Sequence, residues 1–307
     1  MGRQAALLLT APPCILCGGR ERRRLDEETR IVRAAAPRFL VRCLRCGLVS
    51  VHPLPRSDEL RSLYLDDAVM QQYREAHGRA YVMGDLEPEP HLGRRLEVLE
   101  GYLGGPGRIL DVGAGSGVFL ALARSRGWDV AGIELSRPAV QAARERFGIE
   151  LVHGPMEENN FPNAAFDAVH ISHVLEHFLD PLQALGEIRR VLRPRGVLVV
   201  EAPNEFDDFF GNTRSLLGRP RQPYEVPSPH TYFFTPWTLR GLLARAGFRT
   251  VRLETRRRNP DTSSRLPLGG WVKRAIYALE EILRRGPLIE VFAVPAHGDH
   301  GRADNHA

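Results

Sequence analysis

The residues in this chain whose types and spacing could do chemistry begin with ILDVGAGSGVFL, Ile109 to Leu120, where an apolar run breaks into Gly113, Gly115 and Gly117 and resumes with helical spacing. A strand that enters a glycine turn and leaves as a helix aims backbone N–H groups and the positive end of the helix dipole at whatever sits above. Glycine matters because any Cβ would hold the ligand off. The spacing is G-x-G-x-G, whereas dinucleotide sites favour G-x-G-x-x-G. Asp111, two residues ahead of the first glycine, adds negative charge that repels a pyrophosphate and can orient an ammonium group. Glu134 closes the next apolar run, about 20 residues on, where an acid can accept both hydroxyls of a ribose. The combination predicts an adenosine-like ligand carrying an amino acid rather than phosphates.

A second set is Cys14, Cys17, Cys43 and Cys46, the only cysteines in the chain. Two C-x-x-C pairs with no other cysteine favour a tetrahedral thiolate site for structural zinc over disulfides, with surface thiols or a redox pair as the alternative. A glycine follows each pair and permits the tight turn of a metal knuckle. A third set is histidine. HVLEH, from His173 to His177, matches the H-x-x-E-H zinc-protease string, but that string arises readily by chance in such a sequence. His230 stands in SPHTYFFTP, at the end of a long segment that starts at Glu205.

The elements that must position these residues alternate from Arg108 onward. RILDVG, DVAGIELS, IELVHG, FDAVHIS, VLVVEAPN and RTVRLET read as strands; GVFLALARSRG, PAVQAARERFG, PLQALGEIRRVLRPRG and TPWTLRGLLARAGF read as helices between them. That rhythm implies an α/β fold with a parallel sheet covered on both faces and ligands at the carboxyl ends of the strands. LIEVFAVPA supplies a last strand. Ahead of this domain, residues 1–55 read as a zinc-ribbon-like module with two hairpin-like arms, and 56–104 as a helical linker able to lie over a neighbouring site. The domain itself is assigned to 105–296, and the polar tail 297–307 reads as disordered.

LDVGAGSG followed by VAGIELS resembles the first two signature segments of class I S-adenosylmethionine-dependent methyltransferases. The resemblance continues through FDAVHISHVLEHFLDP, EIRRVLRPRGVLVVEAPN and FTPWTLRGLLARAGF, over about Arg108 to Glu254. It implies a Rossmann-like, mostly parallel seven-stranded sheet whose last strand is antiparallel. It also implies that Asp111, Gly113, Gly115 and Gly117 cradle the methionine part, that Glu134 holds the ribose, and that Leu135 packs on the adenine. The family's third strand usually ends in an acid near the adenine amino group; here Pro155 departs from that pattern, and Met156 and Glu157 are the nearest substitutes. His173 falls where residues lie beside the cofactor, and some relatives hold magnesium there through acids, one of which His173 replaces. Glu176 and His177 are read as shaping the pocket or capping a helix rather than as ligands of a catalytic metal. Similar sugar and natural-product methyltransferases carry a histidine before an aromatic stretch, which makes His230 the candidate general base, with His177 behind it.

A four-cysteine module ahead of such a domain is similar to zinc-bearing methyltransferases of sugar biosynthesis, although their large C-terminal domain has no counterpart in this sequence. The leading expectation is methyl transfer to a hydroxyl or carbon of a sugar, glycan or secondary-metabolite precursor, with nucleotide sugars among the candidate acceptors. The alternatives are an rRNA base methyltransferase and a non-catalytic cofactor-binding partner protein. Net charge is +5, yet Lys273 is the only lysine and the arginine runs lack interleaved aromatics, so nucleic acid is disfavoured. No apolar run is long enough to span a bilayer, which points to the cytoplasm. A helix from Trp271 to Arg285 with Val272, Ile276, Leu279 and Leu283 on one side could lie on a membrane or a second subunit, but such a stripe more often covers a sheet.

Overall fold

The computed structural model describes residues 8–25, 38–60, 90–207, 230–256, 277–280 and 282–296. Two sheets organise them. The first is antiparallel, in the order β1 (Leu8–Thr10), β2 (Glu21–Arg24), β3 (Phe39–Cys43), β4 (Val49–His52) and β10 (Tyr232–Phe233). The second has seven strands: β5 (Arg108–Val112), β6 (Asp129–Glu134), β7 (Val152–His153), β8 (Phe166–Ser172), β9 (Leu192–Pro203), β11 (Phe248–Arg256) and β12 (Leu288–Pro295). Their spatial order is β11-β12-β9-β8-β5-β6-β7. β5 to β9 pair in parallel and β12 runs antiparallel to both of its neighbours. This is the mostly parallel, seven-stranded Rossmann-like sheet expected from the sequence.

The central strands are near-continuous apolar runs because helices cover both faces. Ile109, Leu110, Val169, Ile171, Leu198 and Val200 are fully buried. The helices are α1 (Pro90–Leu103), α2 (Val118–Ser125), α3 (Arg137–Phe147), α4 (Pro181–Val191) and α5 (Pro236–Arg245). Two of them, α4 and α5, begin at a side chain that accepts from the orphan amides of the first turn. Asp180 accepts from the amides of Leu182 and Gln183 at 3.0 Å, and Thr235 and Thr238 form a reciprocal capping box on α5. α3 ends at Gly148, whose φ of 60° lets the chain turn back toward the sheet.

Three sequence expectations change. IELVHG shortens to the two-residue β7, and Val152 lies exposed at that sheet edge. The amino-terminal module is not confined to its own residues, since its fifth strand, β10, comes from far along the chain. Of the stripe on 271–285, Leu279 and Leu283 are 44% and 48% exposed while Tyr277 and Glu280 are buried, so this part of the stripe does not cover a sheet. Val272 and Ile276, the linker residues 61–89 and the tail 297–307 lie outside the described residues. No helix among the described residues is long and apolar enough to cross a membrane.

Candidate active site

β5 delivers the chain into its glycine turn at the carboxyl edge of the sheet. Gly113 (φ 72°), Gly115 (φ 54°) and Gly117 (φ 80°) all adopt the left-handed conformation that other residues avoid. A Cβ at Gly113 would stand 2.3 Å from Cγ2 of Val174, so glycine there lets this turn press against the turn that follows β8. A Cβ at Gly115 would meet nothing within 4 Å; the space above it is open. The amides are used differently from the sequence expectation. Those of Gly113 and Ala114 donate to the Ile133 carbonyl, that of Gly117 to the Ala114 carbonyl, and that of Gly115 to Glu134 at 2.8 Å. The amides of Gly113, Ala114, Gly115 and Gly117 are thus spent in holding the turn's own shape, and what these positions offer a ligand is room.

Glu134 ends β6 beside that open space. Its two carboxylate oxygens accept from the amides of Gly115 and Ser136, each at 2.8 Å, which fixes the carboxylate and leaves a lone pair on each oxygen for further donors. Burial pushes its carboxyl upward, and the amide hydrogen bonds offset only part of the rise. A fixed, partly desolvated carboxylate next to a hollow floored by glycine fits a vicinal diol above the turn, as S-adenosylmethionine would present. Leu135 is half-buried, and its carbonyl faces Nε2 of His153 at 3.0 Å. Met156 is 2% exposed and packs in the main core, in a short 3-10 turn, Met156–Glu158, that also contains Glu157.

Asp111 does not face open space. It is buried beneath the turn, with Oδ1 at 2.6 Å from Nδ1 of His170, its cross-strand neighbour. Nε2 of His170 lies 2.6 Å from an Arg95 nitrogen, and a guanidinium can only donate, so Nε2 accepts and Nδ1 carries the proton given to Asp111. Arg95 is wholly buried and also donates to Glu201 (2.7 Å) and Glu290 (2.6 Å), two acids directly opposite each other on β9 and β12. Arg256 bonds to the same two carboxylates. Like charges face to face in a sheet are destabilising, and the two guanidiniums make this pair tolerable.

Glu201 links this cluster to the turn after β8. Its Oε1 accepts from Ser172 at 2.9 Å and lies 3.3 Å from Nε2 of His173, whose Nδ1 is 3.6 Å from Glu176. Burial pushes the His173 imidazole down, but Glu176 and Glu201 outweigh it and raise it to about 9. Glu176 is 1% exposed, and among the described residues neither of its oxygens makes a hydrogen bond, His173 Nδ1 standing just too far at 3.6 Å. Burial would raise its carboxyl; the surrounding His173, His177 and His230 instead hold it at about 2. One atom from each of Glu176, His177 and His230 lies within 4.8 Å of the others, and the two histidine rings meet edge-on at 4.7 Å. Nδ1 of His230 is 3.3 Å from Glu205. Burial lowers this imidazole, Glu205 and Glu176 raise it, and the balance is upward. A histidine oriented by a carboxylate through one nitrogen presents the other as a proton acceptor.

The four thiols form a separate cluster. Sγ of Cys14 is 3.6 Å from that of Cys46, Sγ of Cys17 is 3.5 Å from that of Cys43, and all four lie within 4.8 Å. Zn–S bonds of about 2.3 Å place tetrahedral sulfur atoms about 3.8 Å apart, so the donor set fits zinc.

The structure thus brings His173, His177 and His230 to one place, and Glu134 with Gly113, Gly115 and Gly117 to an adjoining one. Sequence reasoning missed Arg95, His170, Glu201, Glu205, Glu290 and Arg256. A usable signal existed for three of them: His170, Glu201 and Glu290 are single polar residues inside otherwise apolar strand runs, where only a partnered group survives burial.

The family profile described as Methyltransferase domain matches residues 86–253. The chain is similar to an O-methyltransferase, cnsE, of Penicillium expansum (29% identical over 218 residues, 66% of this chain and 74% of that one). It is also similar to a demethylmenaquinone methyltransferase of Thermus thermophilus (32% over 170 residues, 48% and 77%). Among solved structures, the 1,6-didemethyltoxoflavin-N1-methyltransferase of Burkholderia thailandensis shares the fold with a TM-score of 0.54 at 18% identity, covering 87% of this chain and 99% of that one. Because the profile spans more than half of the sequence and includes both the glycine turn and the acid that faces it, this chain belongs to the methyltransferase-domain family and is a class I S-adenosylmethionine-dependent methyltransferase.

Proposed function

We propose that the protein methylates a hydroxyl group of a small molecule, with His230 removing the proton. The observation that carries this reading is the His230–Glu205 pair at 3.3 Å, next to Glu176 and His177 in the turn that abuts Gly113. S-adenosylmethionine, when bound, supplies the electrophilic methyl group. In this reading Glu134 accepts the ribose hydroxyls, Gly115 leaves room for the ligand, and Leu135, Met156 and Glu157 border the adenine. Asp111 acts from below by fixing the turn through His170, and His173 carries positive charge between Glu176 and Glu201. Glu205 orients Nδ1 of His230, leaving Nε2 to take the acceptor proton. Alignment of acceptor and methyl supplies much of the acceleration in such an in-line displacement.

Of the relatives named above, one is an O-methyltransferase and two are named for small-molecule acceptors, demethylmenaquinone and 1,6-didemethyltoxoflavin. A sugar, glycan or secondary-metabolite precursor remains the acceptor class we favour, on the strength of the four-cysteine module, for which we propose structural zinc. We assign the methyltransferase domain to 105–296 and the protein to the cytoplasm. The decisive experiment is mass spectrometry of products formed from S-adenosylmethionine with a panel of hydroxylated metabolites, nucleotide sugars and ribosomal RNA. Gain of one methyl on a small-molecule oxygen supports the reading, and methylation confined to RNA overturns it.

The undonated carboxylate of Glu176 favours a second reading of the same cluster, with a divalent cation held by Glu176, His177 and His230 in place of a free base. Turnover abolished by a chelator that leaves the cysteine zinc in place, and restored by a divalent ion, would select it.

A further inference from the structure

The four cysteines and His230 are far apart in sequence, yet one antiparallel pairing joins them. The second knuckle, Cys43–Cys46, is the hairpin between β3 and β4, closed by the Cys43 amide on the Leu48 carbonyl at 2.9 Å. β4 then pairs with β10, Ser50 opposite Tyr232 and Val49 opposite Phe233, and the Val51 amide donates to the Thr231 carbonyl at 3.0 Å. Thr231, 1% exposed, is fastened on its other side to the turn after β8. Its amide and its hydroxyl donate to the Glu176 carbonyl at 2.8 and 2.9 Å, and the hydroxyl also reaches the Phe178 carbonyl at 2.7 Å. Tyr232 adds a bond from its hydroxyl to the Leu179 carbonyl at 3.2 Å. His230 is the residue immediately before this fastening.

The first knuckle is seated on the same body by a different route. The Leu16 side chain lies against α5, close enough that a Cβ at Gly241 would be 3.1 Å from its Cδ1, and Arg245 donates to the Leu16 carbonyl at 3.2 Å. Cys14, Cys43, Leu48, Tyr232, Phe234, Leu239 and Leu242 share one continuous core. Among the described residues the α5-seated knuckle is joined to the knuckle that leads into β4 by the thiol cluster, by packing, by the β2–β3 ladder and by one hydrogen bond, from Arg45 to the Cys17 carbonyl at 3.1 Å; of these, metal–thiolate bonds are the strongest tie.

We infer that the four-cysteine metal site is a positioning device for the acceptor side of the active site: by fixing β4, zinc fixes the register of residues 231–233 and so the place of His230 beside Glu176, His177 and Glu205. The inference rests on the acceptor site lying at His230, but it does not depend on whether that histidine is a base or a metal ligand. The glycine turn and Glu134 are held by their own bonds to β6, so the cofactor half stays in place when the zinc leaves.

The test uses the full chain, zinc-loaded and after removal of zinc, and reads three quantities. On zinc removal, amide hydrogen exchange at 49–52 and 231–233 is expected to accelerate at least about tenfold, consistent with local rather than global opening. kcat is expected to fall by about 10- to 100-fold, the range typical when a group that orients another is lost. Affinity for S-adenosylhomocysteine by calorimetry is expected to stay within about threefold, and zinc alone is expected to restore the first two. Unchanged exchange at 231–233 in a zinc-free protein overturns the inference. Should zinc removal unfold the chain, Thr231→Val decides: it keeps the cysteines and His230 but loses the hydroxyl bonds to 176 and 178. A fall in kcat with zinc content and S-adenosylhomocysteine affinity retained supports the inference, and wild-type kcat sinks it. Failure of the base assignment is seen separately, as full turnover by His230→Ala with the exchange result intact.

Discussion

His230 is worth more as half of a pair than alone. Buried without Glu205 its imidazole would be pushed down, whereas with Glu205 and Glu176 beside it the imidazole is held above the usual 6.5. A base must be neutral to act, so the rising limb of kcat/KM is expected at a pH above 6.5, and Glu205→Gln is expected to move that limb downward while lowering kcat. A limb that stays in place in the variant would separate Glu205 from the base. His173 has the opposite consequence for stability. Its folded value, about 9 against 6.5, means that its ion pairs with Glu176 and Glu201 stabilise fully below about 6.5 and are lost as pH rises through about 9, which thermal melts across that window can follow. On the cofactor side, Glu134→Gln keeps the size of the side chain and removes the charge from the proposed ribose contact. Loss of a hydrogen bond to a charged group, about 1.5–3 kcal/mol, corresponds to roughly 10- to 150-fold weaker binding of S-adenosylhomocysteine by calorimetry.

At the scale of elements, the strand–helix alternation from Arg108 onward was readable because buried parallel strands and capped amphipathic helices leave periodic marks. The glycine turn and its acid were readable for the same local reason. What was not readable depended on pairing across the sheet. Nothing in VLVVEAPN alone says that Glu201 faces Glu290, or that Arg95, on the helix ahead of the first strand of the seven-stranded sheet, neutralises both. Asp111 was recognised as important but assigned to the ligand, since its partner, His170, becomes its neighbour only when β5 and β8 pair. The same buried network predicts a large cost for cutting it. Arg95→Met leaves two opposed carboxylates with a single guanidinium, and a loss of about 3–5 kcal/mol in chemical denaturation is expected, the range for breaking a buried pair by removing one partner. A loss below 1 kcal/mol would mean that Arg256 alone suffices.

Across the whole molecule, the division into a cysteine module and a catalytic domain is one of sequence, not of architecture. The five-stranded sheet takes its last strand from residues 232–233, and the thiol-bearing core is continuous with the core under β8 and β9. Sequence could suggest the module but not this exchange, because a two-residue strand such as Tyr232–Phe233 carries no periodicity to detect. The exchange also imposes an order on biosynthesis. The two knuckles are complete once Gly47 has been made, but the edge of β4 waits for Tyr232, so in a nascent chain the four thiols can come together long before that edge is covered. Contacts of such long sequence separation form late and slowly. Closure of the proposed acceptor site is thereby tied to the synthesis of residues 230–233, and chains released before them would carry an exposed strand edge prone to aggregation.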